Sequence, residues 1–215
     1  MKILGNYAKN GHVHLEEAIG IEIANALVSD IKTEVAPGNI PLSQDKSFPP
    51  TLVRAAFEVY GPYYTPMKFL LWGLTPIMER IVGVPLLPTY NYFRVYQSGD
   101  ICRVHSDRPA CEHSMTLTLG YSEDILWPFQ VGAPTAGERK DIADDFGEDP
   151  FTAIAMRPGD AVVYKGLALR HGRTDPNPNA WSAHMFLHWV ERNGEFAEFA
   201  FEGDTTRAPT AFAFS

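Results

Sequence analysis

The chain has 215 residues, 45% hydrophobic and 20% charged, with a formal net charge of −8. That size and balance suit one domain spanning residues 1–215, with enough apolar surface to fold without disulfide or metal staples. Its basic residues form no run, which argues against a phosphate-tracking surface and so against nucleic acid as a partner.

The opening segment MKILGNYAKN is too short and polar for a signal peptide, and the only cysteines are Cys102 and Cys111, so a reducing cytoplasm is expected. No apolar stretch approaches the roughly 20 residues of a membrane-spanning helix, and no lipidation pattern stands at either end, so no membrane partner is expected. Leu15, Ala18, Ile19, Ile23, Ala26, Leu27 and Ile31 recur at three- and four-residue steps, which predicts an amphipathic helix over 15–31. The prolines at 37, 41, 49 and 50 make 36–50 a loop. A second helix is predicted over 66–82, with Pro76 expected to kink or divide it. Residues 15–82 thus read as helical support.

After Val84 the texture changes to short runs rich in β-branched and aromatic residues, at 90–96, 114–121, 161–164 and 182–190. Turn signals at Ser98-Gly99, Arg108-Pro109, Pro158-Gly159 and Asp175-Pro176 separate them. The expected fold is mainly β with flanking helices: a β-sandwich or jelly roll over about 89–200, its helices covering one outer face. The acidic stretch Gly137 to Pro150 reads as a surface loop in preference to a lid over a pocket mouth.

The sharpest chemical signal is His105-Ser106-Asp107. Residues two apart on an extended segment project to one side and can hold one metal together. His171, following Leu167-Ala168-Leu169-Arg170 on what reads as another strand, offers a third ligand. Two histidines and a carboxylate compose the facial triad of non-haem iron(II) oxygenases, which leaves open positions for a co-substrate and dioxygen. A closed structural zinc site would favour four ligands with cysteine among them, and neither Cys102 nor Cys111 stands in a ligand pair.

These residues sit in an ordered set that resembles the 2-oxoglutarate/iron(II) dioxygenases, in particular their prolyl 4-hydroxylase-like branch. The resemblance runs from about Tyr90 to Val190. It comprises Tyr96-Gln97-Ser98-Gly99, His105-Ser106-Asp107, Thr116 and Thr118, Arg157-Pro158-Gly159-Asp160-Ala161, His171-Gly172-Arg173 and Phe186-Leu187-His188-Trp189. It implies a double-stranded β-helix (jelly roll), Fe(II) on His105, Asp107 and His171, 2-oxoglutarate as co-substrate, and dioxygen. It also implies that Tyr96 faces the co-substrate, that Thr116 or Thr118 hydrogen-bonds it, and that Tyr164 lines the same pocket. The implied activity is hydroxylation of an unactivated C–H bond in an amino acid, a peptidyl residue or a small metabolite. Asp107 favours hydroxylation over halogenation, because related halogenases carry a small residue there.

One family feature is absent: a Lys or Arg about ten residues beyond the distal histidine, where Trp181 stands. Strand parity offers Arg173 as the anchor for the co-substrate's far carboxylate, since it projects to the same side as His171. Lys165, Arg94, Arg103 and His184 are its rivals, and a surface pair between Arg173 and Asp175 is the plainer reading. Arg108 and Glu112 are expected at the pocket rim, with Arg108 either binding the substrate or pairing with Glu112. His184 and His188 lack the glutamate of an HExxH motif and read as structural histidines. His12 and His14 read as a surface strand, and the two cysteines as buried hydrophobes. A cupin-type metalloprotein that does not use 2-oxoglutarate and a non-catalytic jelly-roll binding module are the alternatives. Nothing in the sequence sets the oligomeric state.

Overall fold

A computed structural model describes residues 1–38, 50–134 and 141–202. Eleven strands form the frame: β1 (Lys2–Leu4), β2 (His12–Glu16), β3 (Phe57–Tyr60), β4 (Leu86–Gln97), β5 (Cys102–His105), β6 (His113–Tyr121), β7 (Phe129–Gly132), β8 (Phe151–Ile154), β9 (Ala161–Tyr164), β10 (His171–Arg173) and β11 (Trp181–Glu191). They make two antiparallel sheets, a seven-stranded one ordered β1-β2-β9-β6-β11-β4-β3 and a four-stranded one ordered β5-β10-β7-β8. The sheets face each other in a jelly roll. Phe129, Val131 and Ile154 of the small sheet pack against Val162 and Tyr164 of the large one.

Alternation along the central strands sorts the large sheet into two unlike faces. Met115, Leu117, Val163, Met185, Leu187 and Phe93 point outward into an apolar core. The helices α2 (Ile21–Asp30) and α3 (Thr65–Val82) close that core with Ala24, Leu27, Met67, Leu71, Leu74 and Met78. The expectation that helices cover one outer face therefore holds. The opposite face, turned toward the small sheet, carries polar and aromatic side chains instead, among them Thr116, Thr118, His184 and His188, all buried.

The helix expected over 15–31 is shorter at its start. Leu15 lies in β2 opposite Ala161, and the helix begins only at Ile21, after Gly20. Leu15, Ala18 and Ile19 matched helical spacing by coincidence, since an inward strand residue and a turn residue are also apolar. The intervening turn docks on Pro158-Gly159: Asp160 Oδ1 accepts the Glu17 N–H at 2.9 Å, and the Ile19 N–H donates to the Gly159 carbonyl at 3.2 Å. Gly159 has φ +92°, and a Cβ there would meet the Ile19 carbonyl oxygen at 2.7 Å, so glycine is required.

Helix α3 runs unbroken through Pro76. Its outer turns are fastened on either side of the proline, with the Trp189 Nε1–H donating to Thr75 Oγ1 at 2.9 Å and the Gly83 N–H capping Glu79 at 2.8 Å. His12 and His14 do lie on a strand, but one inside the large sheet, between β1 and β9. Residues 167–170 form a turn, and β10 starts only at His171. Part of the 36–50 loop and the first residues of the 137–150 stretch lie outside the described residues. Further along that stretch, Ala143 bridges to Val104 of β5. No helix among the described residues is long and apolar enough to cross a membrane.

Met185 is fully buried at the centre of the large sheet's outer face. Met185→Ala should lower unfolding free energy in urea by about 2–5 kcal/mol, while leaving metal stoichiometry at the opposite face unchanged.

Candidate metal centre

Strand β10 lies between β5 and β7, with His171 directly opposite His105 across the β5–β10 pair. Antiparallel neighbours in register project to the same face, so the two imidazoles meet, with ring centroids 4.5 Å apart. Asp107 follows the end of β5, where its N–H donates to the Gly166 carbonyl at 2.9 Å. Its Oδ1 then lies 3.6 Å from His105 Nε2 and 3.4 Å from His171 Nε2. Ligands bonded at about 2.0–2.2 Å to one octahedral ion stand about 3 Å apart along an edge, so small side-chain shifts complete the site.

Both imidazoles are held in the tautomer that ligation needs. His105 Nδ1 donates to the Arg103 carbonyl at 2.7 Å and His171 Nδ1 to the Leu169 carbonyl at 2.9 Å. A carbonyl only accepts, so each Nδ1 carries the proton and each Nε2 is free to bind metal. Asp107 Oδ2 accepts from Ser114 Oγ at 3.2 Å, which fixes the carboxylate's second oxygen. Gly166 permits this packing: a Cβ there would lie 2.5 Å from Asp107 Oδ2 and from the Cys111 carbonyl oxygen.

Burial works against charge at both Asp107 and His105, but their mutual attraction prevails. The His171 and His105 imidazoles hold Asp107 well below the usual carboxylate range. Asp107 and Cys102 raise His105 to about 10 in the metal-free site. His105 must therefore lose a proton to bind metal.

A second set of buried groups lies on the same inner face. Arg173 is 1% exposed, its guanidinium 5.2 Å from the Trp127 ring centre and 5.0 Å from that of Phe129. Its Nη2 donates to His184 Nδ1 at 3.3 Å, while its Nε has no hydrogen-bond partner. Burial, then the charges of Arg173 and Arg94, keep His184 well below the usual histidine range and hence neutral. With Nδ1 accepting, His184 Nε2 is a second buried donor, and it too lacks a partner. Among the described residues no carboxylate pairs with Arg173. Asp175 turns elsewhere, accepting from Gln130 Nε2 at 3.4 Å, so the surface pair between Arg173 and Asp175 does not form.

Two rival cations are engaged with carboxylates: Arg94 is ion-paired with Glu58 and Arg103 bonds Asp144 at 2.6 Å. Lys165 sits 6.0 Å from the Tyr7 ring centre. Tyr96 lines the Arg173 recess: its ring stands 5.0 Å edge-on to Trp127, and its hydroxyl accepts from Arg94 Nη1 at 2.8 Å. Thr116 Oγ1 is buried without a partner, and Thr118 Oγ1 stands 3.3 Å from His184 Nδ1. Tyr164 is buried, its ring 4.6 Å from that of His171. Neither Tyr96 nor Tyr164 places its tip at the surface.

Arg108 pairs with Glu202 at 2.8 Å and lies 4.6 Å over the Tyr90 ring. It does not pair with Glu112, which instead accepts the Glu191 N–H at 2.9 Å. His184 and His188, read from sequence as satisfied structural histidines, both face the site with an unpartnered Nε2. His188 Nδ1 lies 2.9 Å from Ser114 Oγ, the same hydroxyl that donates to Asp107. Their shared parity on β11 with Ser182 and Phe186 was the available signal, but it did not say which face was inward.

No family model and no curated protein matches the chain. Solved structures do. The non-haem α-ketoglutarate-dependent epimerase SnoN of nogalamycin biosynthesis superposes with a TM-score of 0.69 at 10% identity, over 95% of this chain and 89% of that one. HygX from Streptomyces hygroscopicus, solved with nickel and 2-oxoglutarate bound, gives 0.65 at 11% identity over 87% and 85%. A Pseudomonas putida prolyl-4-hydroxylase gives 0.61 at 14% identity over 87% and 96%. The chain thus has the jelly-roll fold of the 2-oxoglutarate-dependent enzymes, prolyl 4-hydroxylase among them.

Two outcomes are expected. Gly166→Ala should weaken divalent-metal binding at least about tenfold by displacing Asp107, an effect in the range of other lost supports for ligands, with the circular dichroism spectrum unchanged. Because His105 binds metal only after losing a proton, metal affinity should rise with pH and fall about tenfold per unit of acidification in the range where one proton is displaced. Calorimetry in buffers of different ionisation enthalpy should register the released proton.

Proposed function

We propose that this chain is a non-haem iron(II) oxygenase that couples oxidative decarboxylation of 2-oxoglutarate to hydroxylation of a C–H bond. The observation that carries this reading is the pairing of two features on one inner face. A convergent His105, Asp107, His171 set turns both Nε2 atoms toward the Asp107 carboxylate, and a buried guanidinium two residues from His171 has no carboxylate partner among the described residues. The first suits iron(II) with open coordination positions. The second suits the far carboxylate of a dicarboxylate co-substrate, which a guanidinium grips with charge-assisted bonds.

Iron, when bound, supplies the activation of dioxygen and the oxidising power. The protein's own residues orient the reactants. His105, Asp107 and His171 hold one face of the ion; Arg173 and His184 present two unsatisfied N–H donors to the distal carboxylate; Thr116 Oγ1 offers a further hydrogen bond. Trp127, Phe129, Tyr96 and Tyr164 exclude water from that recess, which strengthens the guanidinium–carboxylate attraction. Near Asp107, Tyr90, Tyr92, Phe186 and His188 form a row of stacked and tilted rings, against which the target C–H group would be positioned. An amino acid, a peptidyl residue or a small metabolite fits the proposal equally, and Arg108 remains the proposed substrate-side position; Glu112, expected at the pocket rim, instead lies beside His113 and Glu191. Both cysteines are free and buried, in keeping with the proposed cytoplasmic setting.

A screen of amino acids, peptides and small metabolites that reads succinate release should show turnover requiring both iron(II) and 2-oxoglutarate. Product mass then separates outcomes. Hydroxylation adds one oxygen atom, whereas epimerisation leaves the mass unchanged. Asp107→Ala should abolish turnover, and full activity in that variant would overturn the assignment. Arg173→Ala should weaken 2-oxoglutarate binding roughly 30-fold or more, as expected for removing a buried hydrogen-bonded charge, with iron affinity little changed. Unaltered co-substrate affinity in the folded variant would exclude Arg173.

A further inference from the structure

The large sheet carries a second cluster of potential ligands on its other face, independent of the site described above. Glu112, His113 and Glu191 bring one imidazole nitrogen and two carboxylate oxygens within 4.8 Å of one another. Their positions follow from the sheet. His113 opens β6 and pairs with Trp189 of β11, so Glu191 at the end of β11 reaches back beside it. Ser114, the next residue, faces Asp107. By strand alternation His113 faces the opposite way, toward helix α1 (Tyr7–Asn10), where its Nδ1 meets the Tyr7 hydroxyl at 2.7 Å.

We propose that Glu112, His113 and Glu191 form a second divalent-cation site, suited to a first-row ion such as zinc. His113 is 4% exposed, and its Nε2 is buried without a hydrogen-bond partner, 3.5 Å from Glu191 Oε1. In the tautomer that the proposal requires, Nδ1–H donates to the Tyr7 oxygen and Nε2 is left as a lone pair within 4.8 Å of an oxygen of each carboxylate. That arrangement repels unless a cation lies between them. Among the described residues, no lysine or arginine forms an ion pair with Glu112 or Glu191, and the one basic side chain that Glu191 contacts is His113 itself.

The supports are those of a built ligand set. The Tyr7 hydroxyl orients the ring, and the Glu191 N–H fixes Glu112 Oε2 at 2.9 Å. One nitrogen and two oxygens at these spacings suit zinc bonds of about 2.0–2.2 Å, and the mixed donors fit zinc better than the all-oxygen cations. Glu191 is about two-fifths exposed at its side chain, so water completes the coordination from the open side.

Zinc binding to the intact chain, followed by competition with a chromophoric chelator, tests this. The Asp107→Ala variant should still bind one zinc per chain. Adding Glu191→Gln or Glu112→Gln, both at partly exposed positions that keep the side-chain shape, should weaken that zinc at least about tenfold. Tyr7→Phe should weaken it roughly 10- to 100-fold, the usual effect of removing a ligand's outer support. Zinc should also raise the thermal midpoint of the Asp107→Ala variant, and that rise should vanish with Glu191→Gln. The proposal is overturned if Asp107→Ala binds no zinc, or if its zinc is indifferent to both glutamine substitutions. In the latter case Tyr7 donates to Nδ1 and His113 simply bonds Glu191. Failure of the iron site alone would appear differently, as a wild-type chain that binds only the zinc abolished by Glu191→Gln.

Discussion

Much of the inner face depends on the antiparallel pairing of β5 with β10 in the register that sets His171 opposite His105. A slip of one residue would turn one imidazole to the far side of the sheet and separate the ligands. A three-residue strand specifies register poorly by itself. Here β10 is pinned on both edges, by β5 and by β7; past a one-residue register shift that sets Arg173 opposite Cys102, Arg173 also turns inward, beside Trp127 and Phe129. The third ligand, Asp107, lies beyond the pairing and owes its place to a backbone bond to Gly166 and to the absence of a side chain there.

That inner face is costly to fold. Arg173 Nε, His184 Nε2, Thr116 Oγ1 and His188 Nε2 are all buried without partners, and a buried donor or acceptor left unsatisfied costs on the order of 1–3 kcal/mol, more when charged. Contrast Arg94, largely enclosed, which keeps a paired carboxylate in Glu58. A protein retains unsatisfied groups in one place when something else satisfies them. The apolar face of the same sheet carries the compensating stability, with Met185, Leu187 and Trp189 sealed beneath α2 and α3. The two faces of one sheet thus divide the work between folding and binding.

Shared fold does not settle chemistry. The solved structures that superpose on this chain include an epimerase and a hydroxylase, at identities where only architecture is carried over. What argues for a particular use is local: which nitrogen of each histidine is free, and which buried charge lacks a counter-ion.

The sequence alone determined the parts whose signal is local. Runs rich in β-branched and aromatic residues marked the central strands at 114–121 and 161–164, and the HxD spacing placed two ligand candidates on one side of an extended segment. The ordered set of motifs through His171 pointed to the fold, and the parity of His171 with Arg173 pointed to an inward cation. The same local logic failed where short apolar runs fit two periods, so Leu15 was assigned to a helix and lies in a strand. It also failed where partners come from afar. That His184 and His188 face the metal residues, that Arg94 is neutralised by Glu58, that Arg108 meets Glu202, and that Glu112, His113 and Glu191 converge were decided only by the tertiary structure. Alternation says which residues share a face, but only the packing of one sheet on another, with helices on the far side, says which face looks inward and what waits there.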